Sequence, residues 1–237
     1  MTLLAEKQFY EALEAGRKPK GSIAHPFSRL WAEGGLSRHQ LGLWAIQHYY
    51  YISVIPQQFA ALYARMPDPL GRHLLIENLV GEEMPETPEK SHPNLLLKFA
   101  RACGFEPDVV EGAEARGEIL PGTRSMRAWI WELATLRPIH EACAGIMVAL
   151  EGQLPTLYPK YITAMEKMGF SDDELEFFHV HVENDVEHAE VGLQLCHKYA
   201  DDPVKQSMAV EAVKGSSALR YQMLSEIQES LLVKQAA

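Results

Sequence analysis

The sequence predicts an all-α fold, a single domain over residues 1–237 built from seven to eight helices. Three observations lead there. Apolar residues recur at helical spacing along nearly the whole chain. No alternating β-branched run bounded by turn dipeptides occurs. The breaks in periodicity fall on capping pairs, prolines and glycines.

The elements follow in order. "SRHQLGLWAIQHYYYISVIPQQFAALYARM" opens with Ser37 and Gln40 at capping-box spacing and predicts a helix running to "PDP". "DPLGRHLLIENLVGEE" predicts a second, stopped by "MPETP". "SHPNLLLKFARACG" predicts a third, with Ser91 as cap, Pro93 in the first turn and Gly104 at the C-terminus. "PGTRSMRAWIWELATLRPIHEACAGIMVALEGQ" predicts a long fourth helix bent at Pro138. "LPTLYPKYITAMEKMG" predicts a fifth. "SDDELEFFHVHVENDVEHAEVGLQLCHKYA" predicts a sixth, opened by a second capping box from Ser171 to Glu174. The residues from Pro203 onward predict an amphipathic last helix.

Composition narrows the function. At 237 residues and 47% hydrophobic, the chain can bury a sizeable core. A formal net charge of -10, with no basic run, argues against nucleic acid as partner. The longest apolar run, "ACAGIMVAL", is half of what a membrane span needs, so no membrane insertion is expected. The N-terminus turns acidic within six residues, unlike a signal peptide. Three widely spaced Cys outside any CxxC predict no disulfide framework. A cytoplasmic setting is expected.

The stretch "HVENDVEH", residues 181 to 188, carries the chemistry. On a helix advancing about 100° per residue, His181, Asp185 and His188 fall within about 60° of one another. Glu183, Glu187 and Glu190 fall opposite, on a solvated face. The first face continues through Phe177, Phe178, Leu195 and Cys196, so its polar groups need partners. Core histidines satisfied by hydrogen bonds are one account. A metal site is the other, and imidazole with carboxylate suits Fe, Mn or Zn. Other helices offer further ligands. Glu151 ends an apolar stripe running Trp129, Leu133, Leu136, His140, Ala144 and Met147. Glu82 shares a stripe with Leu75 and Leu79. His92 opens a helix, where the dipole disfavours its charged form. Three His, two Glu and one Asp make the ligand count of a two-metal carboxylate site in a helical core.

The order "E-E…H-P-x-L", "E-x-Q-x-P", "H-x3-D-x2-H" resembles the heme-oxygenase-like diiron oxidases. These include the chlamydial death-domain-associating protein and its p-aminobenzoate-forming relatives. The same scaffold serves pyrroloquinoline-quinone (PQQ) synthase and TenA-type thiaminases. "HPFSRLWAEGGLSRHQLGLWAIQHYYYISVIP" resembles the group's N-terminal helices. "ILPGTR" and "DVEHAEVGL" resemble the quinone-synthase branch, and "SHPNLLLKFARACG" and "EGQLP" the diiron branch. The resemblance implies a heme-oxygenase-like helical bundle and a homodimer. It places the six metal ligands on Glu82, His92, Glu151, His181, Asp185 and His188. It implies two Fe ions, with Mn or mixed Mn/Fe as variants, and O2 as co-substrate.

The expected activity is that of a non-heme diiron oxidase or oxygenase that oxidises a small organic metabolite. Three alternatives stay open: a self-sacrificing p-aminobenzoate synthase, a metal-free PQQ-synthase-like oxidase, and a protein-interaction module. The self-sacrificing relatives place a tyrosine where this chain has Phe27 and Ser28. They place a lysine where it has Lys160 and then Tyr161, out of step by one. Tyr49 and Tyr51, next to Tyr50, are candidate redox-active tyrosines, Lys160 a candidate amine, and His140 a candidate acid-base group. A thiaminase would need an activated Cys143.

Overall fold

The computed structural model describes residues 2–233, except for the side chains of 183–189 and 232–233. Every regular element among the described residues is helical. The α-helices are α1 (Glu6–Arg17), α2 (Pro26–Ala32), α3 (Arg38–Ile52), α4 (Ile55–Arg65), α5 (Pro69–Glu83) and α6 (His92–Ala102). They continue with α7 (Pro107–Glu111), α8 (Pro121–Thr135), α9 (Ile139–Cys143), α10 (Leu154–Lys167), α11 (Glu176–Tyr199) and α12 (Pro203–Val233).

The capping signals hold at residue level. Ser37 Oγ accepts from Gln40 N at 3.3 Å, and Gln40 Oε1 accepts from Ser37 N at 2.9 Å. Glu174 Oε2 accepts from Ser171 N at 2.8 Å, closing a turn just before α11. Gly104 takes φ +92 beyond α6, a conformation that costs an L side chain energy. Ser91 occupies the N-cap position of α6, but its hydroxyl accepts no capping bond.

Two of the predicted helices are broken, and proline explains both breaks. The helix expected over 37–66 parts at Ser53 and Val54, because Pro56 lacks the N–H that would continue it. The predicted bend at Pro138 is a full interruption. α8 ends at Thr135, Pro138 becomes the N-cap of α9, and Leu136 is 78% exposed, so it leaves the predicted stripe. After α9 the chain winds one π-helical stretch, Ala144–Val148, then a 3-10 turn, Glu151–Gln153, before α10.

α11 runs through the middle, packed by α10, α9 and the π stretch, with α6 and α5 also against it. α12 lies along α8, α9 and α1. Aromatic rings fill the space where α2, α3, α6, α10 and α11 meet. Trp31 stacks on Tyr161 at 4.1 Å and meets Trp44 edge-on at 4.7 Å, and Phe178 contacts Phe99 at 4.9 Å. Phe177 and Phe178 are fully buried, each contributing about 1.5–3 kcal/mol of transfer free energy. With Phe59 and Met147 they belong to this core, not to a pocket wall. No described helix is long and apolar enough to cross a membrane. Along the described part of α12, Val204 and Met208 are the exposed large hydrophobics, and both sit near its start.

Candidate functional site

Glu82 reaches the interior because α5 buries Gly71, Leu75, Asn78 and Glu82 at intervals of three and four residues, while Glu83 faces solvent. Met84 then ends the helix in the left-handed region, at φ 45. His92 is the first residue of α6. Its Nδ1 stands 3.1 Å from Glu82 Oε2, with both side chains buried. The His92 ring lies 4.3 Å from the His181 ring on α11, centroid to centroid.

His181 Nδ1 lies 2.6 Å from the carbonyl of Phe177, one turn earlier. A carbonyl only accepts, so Nδ1 carries the proton and Nε2 keeps its lone pair. A ring fixed in this way by a backbone carbonyl is the usual arrangement of a metal-ligating imidazole. Glu151 arrives from the 3-10 turn behind the π stretch. Glu82, Glu151 and His181 line one cavity of about 50 Å³. Four of the six expected ligand positions therefore converge. Asp185 and His188 lie outside the described side chains.

Two ligand atoms in neighbouring positions about 2.1 Å from one ion stand about 3 Å apart. The Glu82–His92 separation of 3.1 Å matches that edge. Among the described residues, no group of three or more His, Cys, Asp or Glu is close enough to hold an ion. Glu82 and His92 fit one edge of a site.

The same cavity is lined by Tyr51, a candidate from the sequence, and by His48, Tyr158 and Arg220, which the sequence did not single out. Arg220 Nη1 donates to Tyr51 Oη in a short bond. Arginine has no acceptor, so the Tyr51 hydroxyl is free to donate onward to His48 Nδ1, 2.9 Å away. Burial holds His48 well below the usual histidine range, reinforced by the Arg220 charge, so the ring is neutral and able to accept. Burial raises the Tyr51 phenol, against the pull of Arg220, so it stays protonated. A sequence signal for Arg220 existed: it shares the buried stripe of α12 with Val213, Ser216, Ser217 and Leu224. His48 likewise shares a buried face with Trp44, Tyr51 and Ile52.

The other candidates lie elsewhere. Tyr49 is half-buried and turns its hydroxyl to Glu111 at 3.3 Å. Lys160 is exposed beside Pro159 and Thr163, while Tyr161 points inward onto Trp31. His140 is buried on α9. Burial lowers its basicity, aided by Lys205, and its carbonyl accepts from the Cys196 thiol at 3.7 Å. Burial pushes the Cys143 thiol up to about 12, the reverse of an activated nucleophile.

The chain is similar to known proteins. The chain is 28% identical over 238 residues to a 4-aminobenzoate synthase of Nitrosomonas europaea, covering 96% of this chain and 94% of the relative. It is 30% identical to a pyrroloquinoline-quinone synthase of Rhizobium meliloti, covering 90% of this chain and 82% of the relative. In fold it is similar to a TenA homologue of Pseudomonas syringae, with a TM-score of 0.79 at 14% identity, covering 97% of each chain. A Shewanella denitrificans domain with a heme-oxygenase-like fold gives the same TM-score, covering 99% of this chain and 96% of that one. The profile of the iron-containing redox enzymes matches residues 43–221. With well over half of its length under that profile, the chain belongs to the iron-containing redox enzyme family.

Proposed function

We propose that this protein is a non-heme iron oxidase or oxygenase that uses O2 to oxidise a small organic molecule. Two irons would be held by Glu82, His92, Glu151, His181, Asp185 and His188. The observation that carries this reading is the buried approach of Glu82, His92 and His181, at 3.1 Å and 4.3 Å, from three different helices. Buried carboxylate and imidazole in contact are costly unless a further charge organises them.

Bound iron would supply reduction of O2, which no side chain of the chain can perform alone. The protein supplies the remaining functions. The Phe177 carbonyl fixes the orientation and tautomer of the His181 ring. Burial keeps His92 and Glu82 out of competing water. Ile52, Ile55, Ile146, Leu150 and Leu154 make the cavity apolar on its remaining sides, which strengthens every electrostatic contact inside. The Tyr51 hydroxyl and His48 Nδ1 form a two-member route that can hold or pass one proton at the cavity wall.

The test is elemental analysis after anaerobic Fe(II) loading, with wild type against Asp185→Ala, followed by O2 consumption. About two Fe per chain, lost in the variant together with O2 uptake, supports the reading. Wild type without Fe overturns it. A metal-free reading like that of the quinone synthases draws on the polar wall of His48, Tyr51 and Arg220, and the same analysis separates the two. For the aminobenzoate-forming reading, the lysine in the expected segment is exposed and Ser28 stands where a tyrosine is expected.

A further inference from the structure

Arg220 is 5% exposed, on the inner face of α12. Its guanidinium has five N–H donors. Among the described residues its hydrogen bond is to Tyr51 Oη, its Nε has no acceptor, and no carboxylate forms an ion pair with it. Around it stand the rings of Tyr51 and Tyr158 and the neutral imidazole of His48. A guanidinium used only as a structural brace is ordinarily saturated by carboxylates or backbone carbonyls, as Arg65 is here by the carbonyls of Leu133, Ala134 and Arg137. Arg220 instead borders a cavity that Glu82 and Glu151 also line, together with Ile52, Ile55, Ile146, Leu150 and Leu154.

We infer that Arg220 is the anchor for the carboxylate of the substrate, so that the molecule oxidised is a small carboxylic acid bound with its carboxylate on Arg220 and its apolar portion toward Glu82 and Glu151. The inference rests on the oxidase reading for what happens to the substrate, but the anion subsite is independent of metal. A carboxylate there accepts from Nε and a terminal nitrogen in the forked geometry that guanidinium favours, and supplies the missing acceptor. Tyr51, which already takes one N–H of Arg220, is then a positioning residue that fixes the plane of the fork. Substrates that differ only in replacing carboxylate by carboxamide should be discriminated, because the buried charge would be left without a counter-charge.

The experiment compares binding of butyrate and butyramide by calorimetry, to wild type, Arg220→Met and Arg220→Lys, with iron content measured on each sample. Wild type is expected to prefer butyrate by about tenfold or more, the worth of a hydrogen-bonded charge contact. Arg220→Met, folded by circular dichroism, is expected to lose the preference, and Arg220→Lys to keep part of it. In wild type the Arg220 Nε–H resonance should shift with butyrate and stay in place with butyramide. That reading holds even where the Met variant does not fold. Equal binding of the two probes, an unmoved Nε–H resonance, or a folded Met variant that keeps the preference overturns the inference. Wild type with its full iron but no carboxylate preference overturns this inference alone. Wild type without iron but with an Arg220-dependent preference overturns the metal reading alone.

Discussion

His92 Nδ1 stands 3.1 Å from Glu82 Oε2, joining the first residue of α6 to the last turn of α5. The two helices are connected by an eight-residue passage with its own 3-10 turn, Pro88–Lys90. The contact ties the ends of that passage together inside the protein. Its partners are expected to act jointly. Glu82→Ala and His92→Ala should each lower iron retention by at least about tenfold, which elemental analysis after gel filtration would read. Full iron in either variant removes that residue from the ligand set.

His25 contributes to the acid limb of stability. Its Nδ1 accepts from Phe27 N at 3.0 Å, capping α2, and its Nε2 meets Ser225 Oγ at 3.0 Å. Burial lowers its pKa to about 4, helped by Lys20. The unfolded state therefore binds a proton that the folded state refuses. The stabilisation is complete above about 6.5 and is lost as pH falls to about 4. His48, also held neutral, adds loss in the same direction. Thermal unfolding followed from pH 7 to 4 should show Tm falling with acid. The fall should be shallower in His25→Asn, which keeps a cap without a titrating ring. Parallel curves for the two proteins would refute the assignment.

Gly192 on α11 has no room for a side chain. A Cβ there would meet Met147 Cβ at 2.6 Å, on the π stretch that leads to Glu151. Gly192→Ala should cost about 1–3 kcal/mol by overpacking. It should also lower iron content, since the π stretch leads to Glu151, a proposed ligand. A variant as stable as wild type would show that the two helices yield freely.

Met84, at φ 45, ends α5 two residues after Glu82 in a conformation that favours glycine. Met84→Gly is expected to raise stability by about 0.5–1 kcal/mol while leaving iron content unchanged, measured by urea unfolding and elemental analysis. A loss of stability would mean that the Met84 side chain packs more than its backbone strains.

Much of this arrangement was legible in the sequence, for identifiable reasons. Periodicity and capping pairs are local, so Ser37–Gln40 and Ser171–Glu174 mark their turns without tertiary help. Glu82 and His181 were legible because a polar residue on an apolar stripe announces a buried partner. The break at Leu136 was not, because helical spacing continues through a segment whose backbone Pro138 interrupts. Arg220 was overlooked for a different reason. Its meaning depends on Tyr51 and His48, 169 residues away for the tyrosine, and a lone arginine in an amphipathic helix reads as its polar face.

The three cysteines carry a consequence for a protein whose family handles iron. Cys103 and Cys143 are pushed up to about 12 by burial, and Cys196 is raised well above its ordinary value. At neutral pH almost none of their sulfur is thiolate, the form that oxidants attack. Leaked oxidant finds no ready thiol sink in this chain. Its load falls instead on methionines and on electron-rich rings, and the stacked Trp31 and Tyr161 are where such damage would be sought first by mass spectrometry.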